Sequence, residues 1–236
     1  MARPKAFGHE SWTLDSVWNR ETNTFFKPYI PPDYAAPFEA LRPSVSPGRL
    51  LVRSPILVSI IDTGVLMSHP MLAGGVEDSL DYTGEGIEDK WGHGTIVALM
   101  YAATLELSGH SPWILNAKVM DRSGNCQDEW IADAIRWSVR KGARIINLCI
   151  GYDDEDCHAG HQSLCEAIAE AYGANVLVNV AAEARCPAQC EGSIAVGGVL
   201  LDGTLITTTV PPAVLGQGEA YMVPCEVEPH TKREGV

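Results

Sequence analysis

Short apolar runs alternate along the chain with stretches in which apolar residues recur every three or four positions. The runs are short and mainly apolar, with apolar residues at both odd and even positions, which is typical of strands buried on both faces. They span residues 56–61, 113–120, 144–150, 175–181 and 193–200. The stretches with helical period span residues 93–105, 128–141 and 162–172. This alternation predicts an α/β fold of three layers, with a mostly parallel sheet and helices on both of its faces.

Residues 1–55 follow neither period. Prolines interrupt residues 25–32 and 43–48 in particular, and each proline fixes φ and removes a backbone donor. We therefore predict an N-terminal extension with few regular elements over residues 1–55, followed by one domain over residues 56–236.

The charge balance narrows the classes of partner. Seventeen basic and thirty acidic side chains give a formal net charge of −13, which repels the phosphates of nucleic acids and anionic lipids. The longest unbroken apolar stretch, residues 96–103, is much shorter than the roughly 20 residues that cross a bilayer. The first thirty residues contain no apolar core of a secretory signal. We predict no nucleic-acid partner, no membrane span and a cytoplasmic location.

The chain has seven cysteines. An odd number in a chain of this size argues against a complete disulfide framework, so we expect thiols in a reducing compartment. Cys186 and Cys190 are a possible pair in an oxidising compartment, an alternative of low weight.

Four metal-capable side chains lie close together in the sequence. They are Cys157, His158, His161 and Cys165. On one helix His161 and Cys165 are i, i+4 neighbours, a spacing that suits zinc. The acidic residues 153–156 beside them indicate instead a solvated surface loop with incidental thiols, and we favour that interpretation. No metal and no cofactor are therefore predicted.

Two polar segments stand where chemistry is expected, at the end of a strand and at the start of a helix. The first strand ends in Asp62-Thr63-Gly64, and Gly92-His93-Gly94 opens the first helix. A carboxylate at a strand end can accept a hydrogen bond from one imidazole nitrogen, fix the tautomer and steady the imidazolium. Either residue alone is equally well interpreted as a turn former or a loop histidine. Together they predict Asp62 as the orienting group and His93 as a general base.

Six segments in chain order resemble the subtilisin-like serine peptidases (subtilases, peptidase S8). They are residues 59–65, 69–70, 91–98, 117–121, 145–151 and 193–199. The resemblance implies that Asp62 and His93 belong to a catalytic triad that hydrolyses peptide bonds in a protein or peptide substrate. It also implies that an extended peptide adds as a strand beside two edges. The substrate-binding residues there are Ser123, Gly124, Leu148 and Gly151.

The chain departs from the family pattern at three places. The family's Gly-Thr-Ser-x-Ala motif does not occur in the 236 residues, and the nucleophilic serine is expected beyond Val236. Ala182-Glu183 stands where the family has Gly-Asn, so Glu183 alters the oxyanion position because an ionised glutamate donates no hydrogen bond. Met71 replaces an aspartate that often binds calcium, and a thioether is a poor calcium ligand.

Two hypotheses follow from these departures. The first is a serine endopeptidase domain that lacks its serine-bearing C-terminal part. The second is a catalytically inactive pseudopeptidase that acts as a peptide-binding or regulatory module. An unrelated nucleotide-binding α/β protein is the least favoured reading, because no glycine-rich phosphate loop follows the first strand.

Overall fold

The computed structural model describes residues 5–6, 15, 18–29, 52–152, 156–182, 184–199, 210–217 and 221–224. The strands are β1 (Lys5–Ala6), β2 (Trp18–Asn19), β3 (Thr24–Tyr29), β4 (Val52–Arg53), β5 (Val58–Asp62), β6 (Val76–Asp81), β7 (His110–Ser111), β8 (Ile114–Lys118), β9 (Ile145–Leu148), β10 (Ile150–Gly151), β11 (Leu177–Ala181), β12 (Ser193–Val199), β13 (Val214–Gln217) and β14 (Tyr221–Pro224). The helices are α1 (His93–Leu107), α2 (Asp128–Arg140), α3 (Cys157–Gly160) and α4 (Gln162–Gly173).

Seven strands form one sheet at the centre of the molecule. Their spatial order is β13-β12-β11-β9-β5-β8-β6, and every neighbouring pair is parallel. Parallel strands end at the same edge, so residues that follow β5, β8, β9 and β11 are brought together. The strand that carries Asp62 lies near the middle of this sheet.

Helices cover both faces of the sheet. On one face Val58 and Ile60 of β5 pack in a cluster with Leu99 of α1. On the other face Ile61 packs in a cluster with Ile135 of α2 and with residues of α4. Successive side chains of a strand point to opposite faces, which is why one apolar run supplies both clusters. The predicted three-layer α/β architecture is confirmed.

The structure differs from the predicted strands in two places. Strand β6, Val76–Asp81, was not predicted because its sequence is largely polar. It lies at the edge of the sheet, where β8 is its one neighbour among the described strands. The run predicted over residues 144–150 is divided at Cys149 into β9 and β10. None of the helices among the described residues is long and apolar enough to cross a membrane.

Some of the residues before 55 form short strands that contact the domain. Strand β3 pairs antiparallel with β2 and β14, and Trp18 and Phe25 pack against the α1 cluster. Their rings stack with centroids 5.9 Å apart. The division of the chain at residue 55 remains a prediction.

His69 connects this N-terminal segment to the domain. Its ring is fully buried. Its Nε2 lies 2.8 Å from the Phe26 carbonyl oxygen, and the Met71 amide donates to its Nδ1 at 3.3 Å. These partners assign the proton to Nε2, and a second proton on Nδ1 would face the Met71 N–H. Burial lowers the pKa of His69 from 6.5 to about 4, although the hydrogen bond to Phe26 opposes the shift.

Acid is therefore expected to destabilise the protein through His69. Below pH 6.5 the imidazole of the unfolded protein binds a proton, whereas that of the folded protein stays neutral until about pH 4. The free energy of unfolding therefore falls as the pH falls through this window. At about 1.4 kcal/mol per pH unit, the free energy of unfolding should drop by up to about 3 kcal/mol. Urea unfolding at several pH values should show this loss, and His69→Gln should reduce it. The exposed His158→Gln is the control. Equal pH dependence in the wild type and His69→Gln would contradict the assignment.

Candidate active site

Asp62 and His93 meet at the carboxyl end of the sheet. Asp62 is the last residue of β5 and His93 the first residue of α1. The Asp62 Oδ1 lies 2.7 Å from the His93 Nδ1. The two residues are 1% and 9% exposed. A carboxylate at Nδ1 fixes the proton there and assigns the role of a base to Nε2.

Glycines allow this close approach. Gly92, the N-cap of α1, has φ 117°, in the left-handed region that favours glycine. A Cβ on Gly94 would overlap the carbonyl oxygen of Gly64 and would lie 3.0 Å from the Cβ of Asp62. The start of α1 can therefore touch the end of β5 only if residue 94 has no side chain.

A second buried carboxylate, Asp89, organises the turn before His93. Its Oδ1 accepts hydrogen bonds from the Thr63 hydroxyl at 3.0 Å, the Trp91 amide at 2.9 Å and the Gly92 amide at 2.8 Å. Its Oδ2 accepts from the amide and the hydroxyl of Thr95 at 2.9 and 2.6 Å. Burial raises the pKa of Asp89, and the hydrogen bonds oppose this shift.

Asp89 thus joins the residue after Asp62 to the first turn of α1. The Thr63 hydroxyl that donates to Asp89 also accepts from the Gly94 amide at 2.9 Å. Sequence reasoning did not identify Asp89. Its signal is an aspartate four positions before His93, where a side chain can satisfy the free amides of a helix N-terminus.

Lys118 binds the backbone directly after Asp62, in addition to the contacts made by Asp89. It lies opposite Asp62 in the β5–β8 register and is fully buried. Its Nζ donates to the carbonyl oxygens of Thr63 at 2.7 Å and Met120 at 3.0 Å and forms an ion pair with Glu85 at 3.5 Å. A buried ammonium persists where such partners surround it. The turn carrying Asp62 is therefore fixed by both Asp89 and Lys118.

Two of the predicted substrate-binding residues lie in the loop after β8. Ser123 is exposed, and its amide donates to Asp121 Oδ1 at 2.8 Å. A Cβ built on Gly124 would lie 3.6 Å from the Trp91 ring. The loop therefore lies against Trp91, which precedes His93 by two positions in the chain.

The other two lie at the ends of β9 and β10. Leu148 stands opposite Ile61 in the sheet, and its side chain is buried in the core, so only its backbone is suited to contact a ligand. Gly151 lies in β10, whose partner is β1: Lys5 is paired with Gly151 and Ala6 with Ile150, antiparallel. The edge of β10 is thus paired with another segment of the same chain, and its pairing with a substrate stays a prediction.

The structure does not describe the residue predicted at the oxyanion position. Glu183 lies outside the described residues, as do residues 200–209. The neighbouring Ala182 is buried, and its amide donates to the carbonyl oxygen of Val196 at 2.9 Å. The altered oxyanion position stays a prediction from the sequence.

The structure groups four metal-capable side chains, but they are not the two cysteines and two histidines that the sequence suggested. The sulfur atoms of four buried cysteines lie within 4.8 Å of one another. These are Cys157, Cys165, Cys186 and Cys190. The structure joins them as disulfides, Cys157 with Cys186 and Cys165 with Cys190, where thiols were expected, and the suggested pairing of Cys186 with Cys190 was wrong.

The two histidines of the suggested set do not lie with these sulfurs. The Nδ1 of His161 lies 2.7 Å from Asp128 Oδ2, and its ring stacks on Tyr152 at 4.1 Å. His158 is exposed. Cys186 and Cys190, which are distant in sequence, complete the group of four with Cys157 and Cys165 instead of the two histidines.

The chain is similar in sequence to several known proteins, among them a serine proteinase. The chain is 35% identical over 156 residues to the thermophilic serine proteinase of Bacillus sp. (strain AK1), covering 60% of this chain and 38% of that protein. It is 31% identical over 133 residues to thermitase of Thermoactinomyces vulgaris, covering 53% of this chain and 46% of that protein. The chain thus spans less than half the length of either relative.

A solved structure supports the fold, and a family model assigns the family. The crystal structure of a lanthipeptide protease matches with a TM-score of 0.54 at 20% identity, covering 65% of this chain and 51% of that one. At this identity the match supports the fold alone. The model of the subtilase family, Peptidase_S8, matches residues 53–211. With the family motifs at Asp62 and His93 on the end of β5 and the start of α1, the chain belongs to the subtilase family.

Proposed function

We propose that the chain is the part of a serine endopeptidase that carries the orienting aspartate and the general base. The observation that carries this proposal is the buried hydrogen bond of 2.7 Å between Asp62 and His93. A binding module does not need a histidine whose tautomer is fixed by a carboxylate, whereas acyl transfer does. Membership of the subtilase family and its peptidase relatives supports the same reaction.

The proposed mechanism assigns one step to each residue. His93 Nε2 takes the proton of a nucleophilic serine as that serine attacks the scissile carbonyl, and later gives the proton to the leaving amine. Asp62 steadies the imidazolium between these steps. The serine is supplied by a part of the whole protein other than these 236 residues, which contain no Gly-Thr-Ser-x-Ala motif.

The proposed substrate is an extended peptide. It adds as a strand to the edge of β10, at Gly151, and the loop containing Ser123 and Gly124 contacts its other side. The pairing of Lys5–Ala6 with β10 supports this mode because it uses the same backbone groups.

A fluorophosphonate probe on the full-length protein tests the proposal. Because a general base contributes roughly 10²–10⁴ to such a reaction, His93→Ala should lower the labelling rate at least about a hundredfold. The exposed His158→Ala should label like the wild type. Equal labelling of wild type and His93→Ala would contradict the proposed base.

A pseudopeptidase is the second candidate, and one observation favours it. Glu183 stands where the family places the asparagine that donates to the oxyanion, and an ionised carboxylate would oppose the developing negative charge. In that case the full-length protein would not react with the probe, yet would still bind extended peptides at the β10 edge. Peptide binding measured by fluorescence anisotropy separates this outcome from a misfolded protein.

A further inference from the structure

The four cysteines converge on one point inside the protein. Cys157, Cys165, Cys186 and Cys190 are 1%, 8%, 0% and 4% exposed. Sulfurs of different disulfides are also in contact, since the Cys157 Sγ lies 3.5 Å from the sulfurs of both Cys165 and Cys190. Two independent crosslinks have no reason to meet at one place, whereas four ligands of a single ion must do so.

The spacing of the sulfurs fits a tetrahedral centre. Zinc–sulfur bonds of about 2.3 Å place the corners of a ZnS₄ tetrahedron about 3.8 Å apart. The contacts of 3.5 Å between sulfurs of different pairs and the overall spread of 4.8 Å bracket this length, and the two bonded pairs would separate on reduction. Small rotations of the side chains would bring the four reduced sulfurs to the corners.

The chain supplies these sulfurs from two short segments. Cys157 opens α3 and Cys165 lies on α4, while Cys186 and Cys190 lie in the connection between β11 and β12. Three residues separate Cys186 from Cys190, within the Cys-x₂₋₄-Cys spacing common in structural zinc sites. The ligands are all sulfur, a set that selects zinc over calcium or magnesium.

We propose that the reduced protein binds one zinc ion through Cys157, Cys165, Cys186 and Cys190. Each thiol loses one proton as it binds Zn²⁺, so four protons are released and no electron is transferred. Four protein ligands leave no open position, which makes the site structural. The disulfides are the alternative state of the same sulfurs when the protein is oxidised.

The zinc site would stabilise the connection between β11 and β12. Tyr152 and Cys186 exchange backbone hydrogen bonds of 2.8 and 3.1 Å, which join this connection to the residue after β10. The ion would therefore fix the connection against α3, α4 and the end of β10. The metal site does not depend on the peptidase proposal, because its ligands and its test involve neither Asp62 nor His93.

Metal analysis of the full-length protein tests the inference. The protein is produced with zinc in the medium, purified under a phosphine reductant and measured by plasma mass spectrometry. We expect about one zinc ion per chain that depends on these cysteines, and at least a fivefold lower content in Cys190→Ser and Cys165→Ser. Cys126→Ser, a cysteine outside the cluster, should keep the zinc content of the wild type.

Cobalt substitution covers the case in which a cysteine variant fails to fold. The wild-type protein, reduced and loaded with Co²⁺, should show the strong visible absorption of tetrahedral cobalt thiolate, and zinc should abolish it. Reduced, folded wild-type protein that binds neither zinc nor cobalt at the four cysteines would overturn the proposal. Zinc content unchanged in both Cys165→Ser and Cys190→Ser would also overturn it, whatever the peptidase activity.

Discussion

If the proposed peptidase reaction holds, Asp62→Asn is expected to lower kcat of the full-length protein by about 10⁴, the size of effect that this change has in a Ser-His-Asp triad. The Asp62 Oδ1 accepts hydrogen bonds from His93 Nδ1 and from the Thr63 amide, both at 2.7 Å. An asparagine oxygen can keep both contacts, but it has no charge to steady the imidazolium. The variant should therefore fold and yet turn over slowly.

The amide group adds a second difficulty. The Asp62 Oδ2 is buried and has no hydrogen-bond partner among the described residues. An asparagine nitrogen in the place of Oδ2 brings two donors to a position where the described residues offer no acceptor. The reversed rotamer instead points those donors at the His93 Nδ1–H. The reversed rotamer would stabilise the wrong tautomer of His93, which leaves Nε2 protonated and unable to act as a base.

Steady-state hydrolysis of a peptide substrate by the full-length protein measures this effect. Asp133→Asn, on the exposed side of α2, is the control and should change kcat less than twofold. Circular dichroism should show both variants folded. A kcat for Asp62→Asn within tenfold of the wild type would contradict the role of the carboxylate.

The fold and the contact between Asp62 and His93 could be predicted for related physical reasons. A strand with apolar residues at both odd and even positions must be buried on both faces, as Val58, Ile60 and Ile61 are, and this requires helices on both sides. Parallel strands then end at one edge, so the end of β5 and the start of α1 meet there. The pattern of residues thus determines both the layers and the position of Asp62 beside His93.

Other parts of the structure depend on contacts that one sequence does not reveal. Strand β6 is polar because it lies at an edge, so its pattern is weak. The cysteine pairs join residues 29 and 25 positions apart, and connectivity of this kind cannot be deduced from spacing. Asp89 became recognisable only when the structure showed Thr63 and Thr95 both directed at its carboxylate.

Asp89→Ala is expected to lower the free energy of unfolding by about 4 kcal/mol. The change leaves five donors without their acceptor, and each buried unsatisfied donor costs roughly 1–3 kcal/mol before water and local shifts reduce the sum. Asp89 is only 3% exposed, which limits how much water can replace it. Asp89→Asn should be milder, because its oxygen can still accept from Gly92 and Trp91 while its amide faces the donors of Thr95.

The two variants also separate stability from the positioning of His93. At a temperature where both are folded, labelling by the fluorophosphonate probe should fall in Asp89→Asn, because the amide nitrogen in place of Oδ2 no longer accepts from Thr95 in the first turn of α1. The matched control is Asp81→Ala, which removes an aspartate that accepts from Thr83 and Gly86 in a part-exposed turn. It should cost about 1–2 kcal/mol and leave the labelling rate unchanged. If Asp89→Asn labels at the wild-type rate, Asp89 stabilises the fold without positioning His93, since unfolding alone does not alter the rate of the folded fraction.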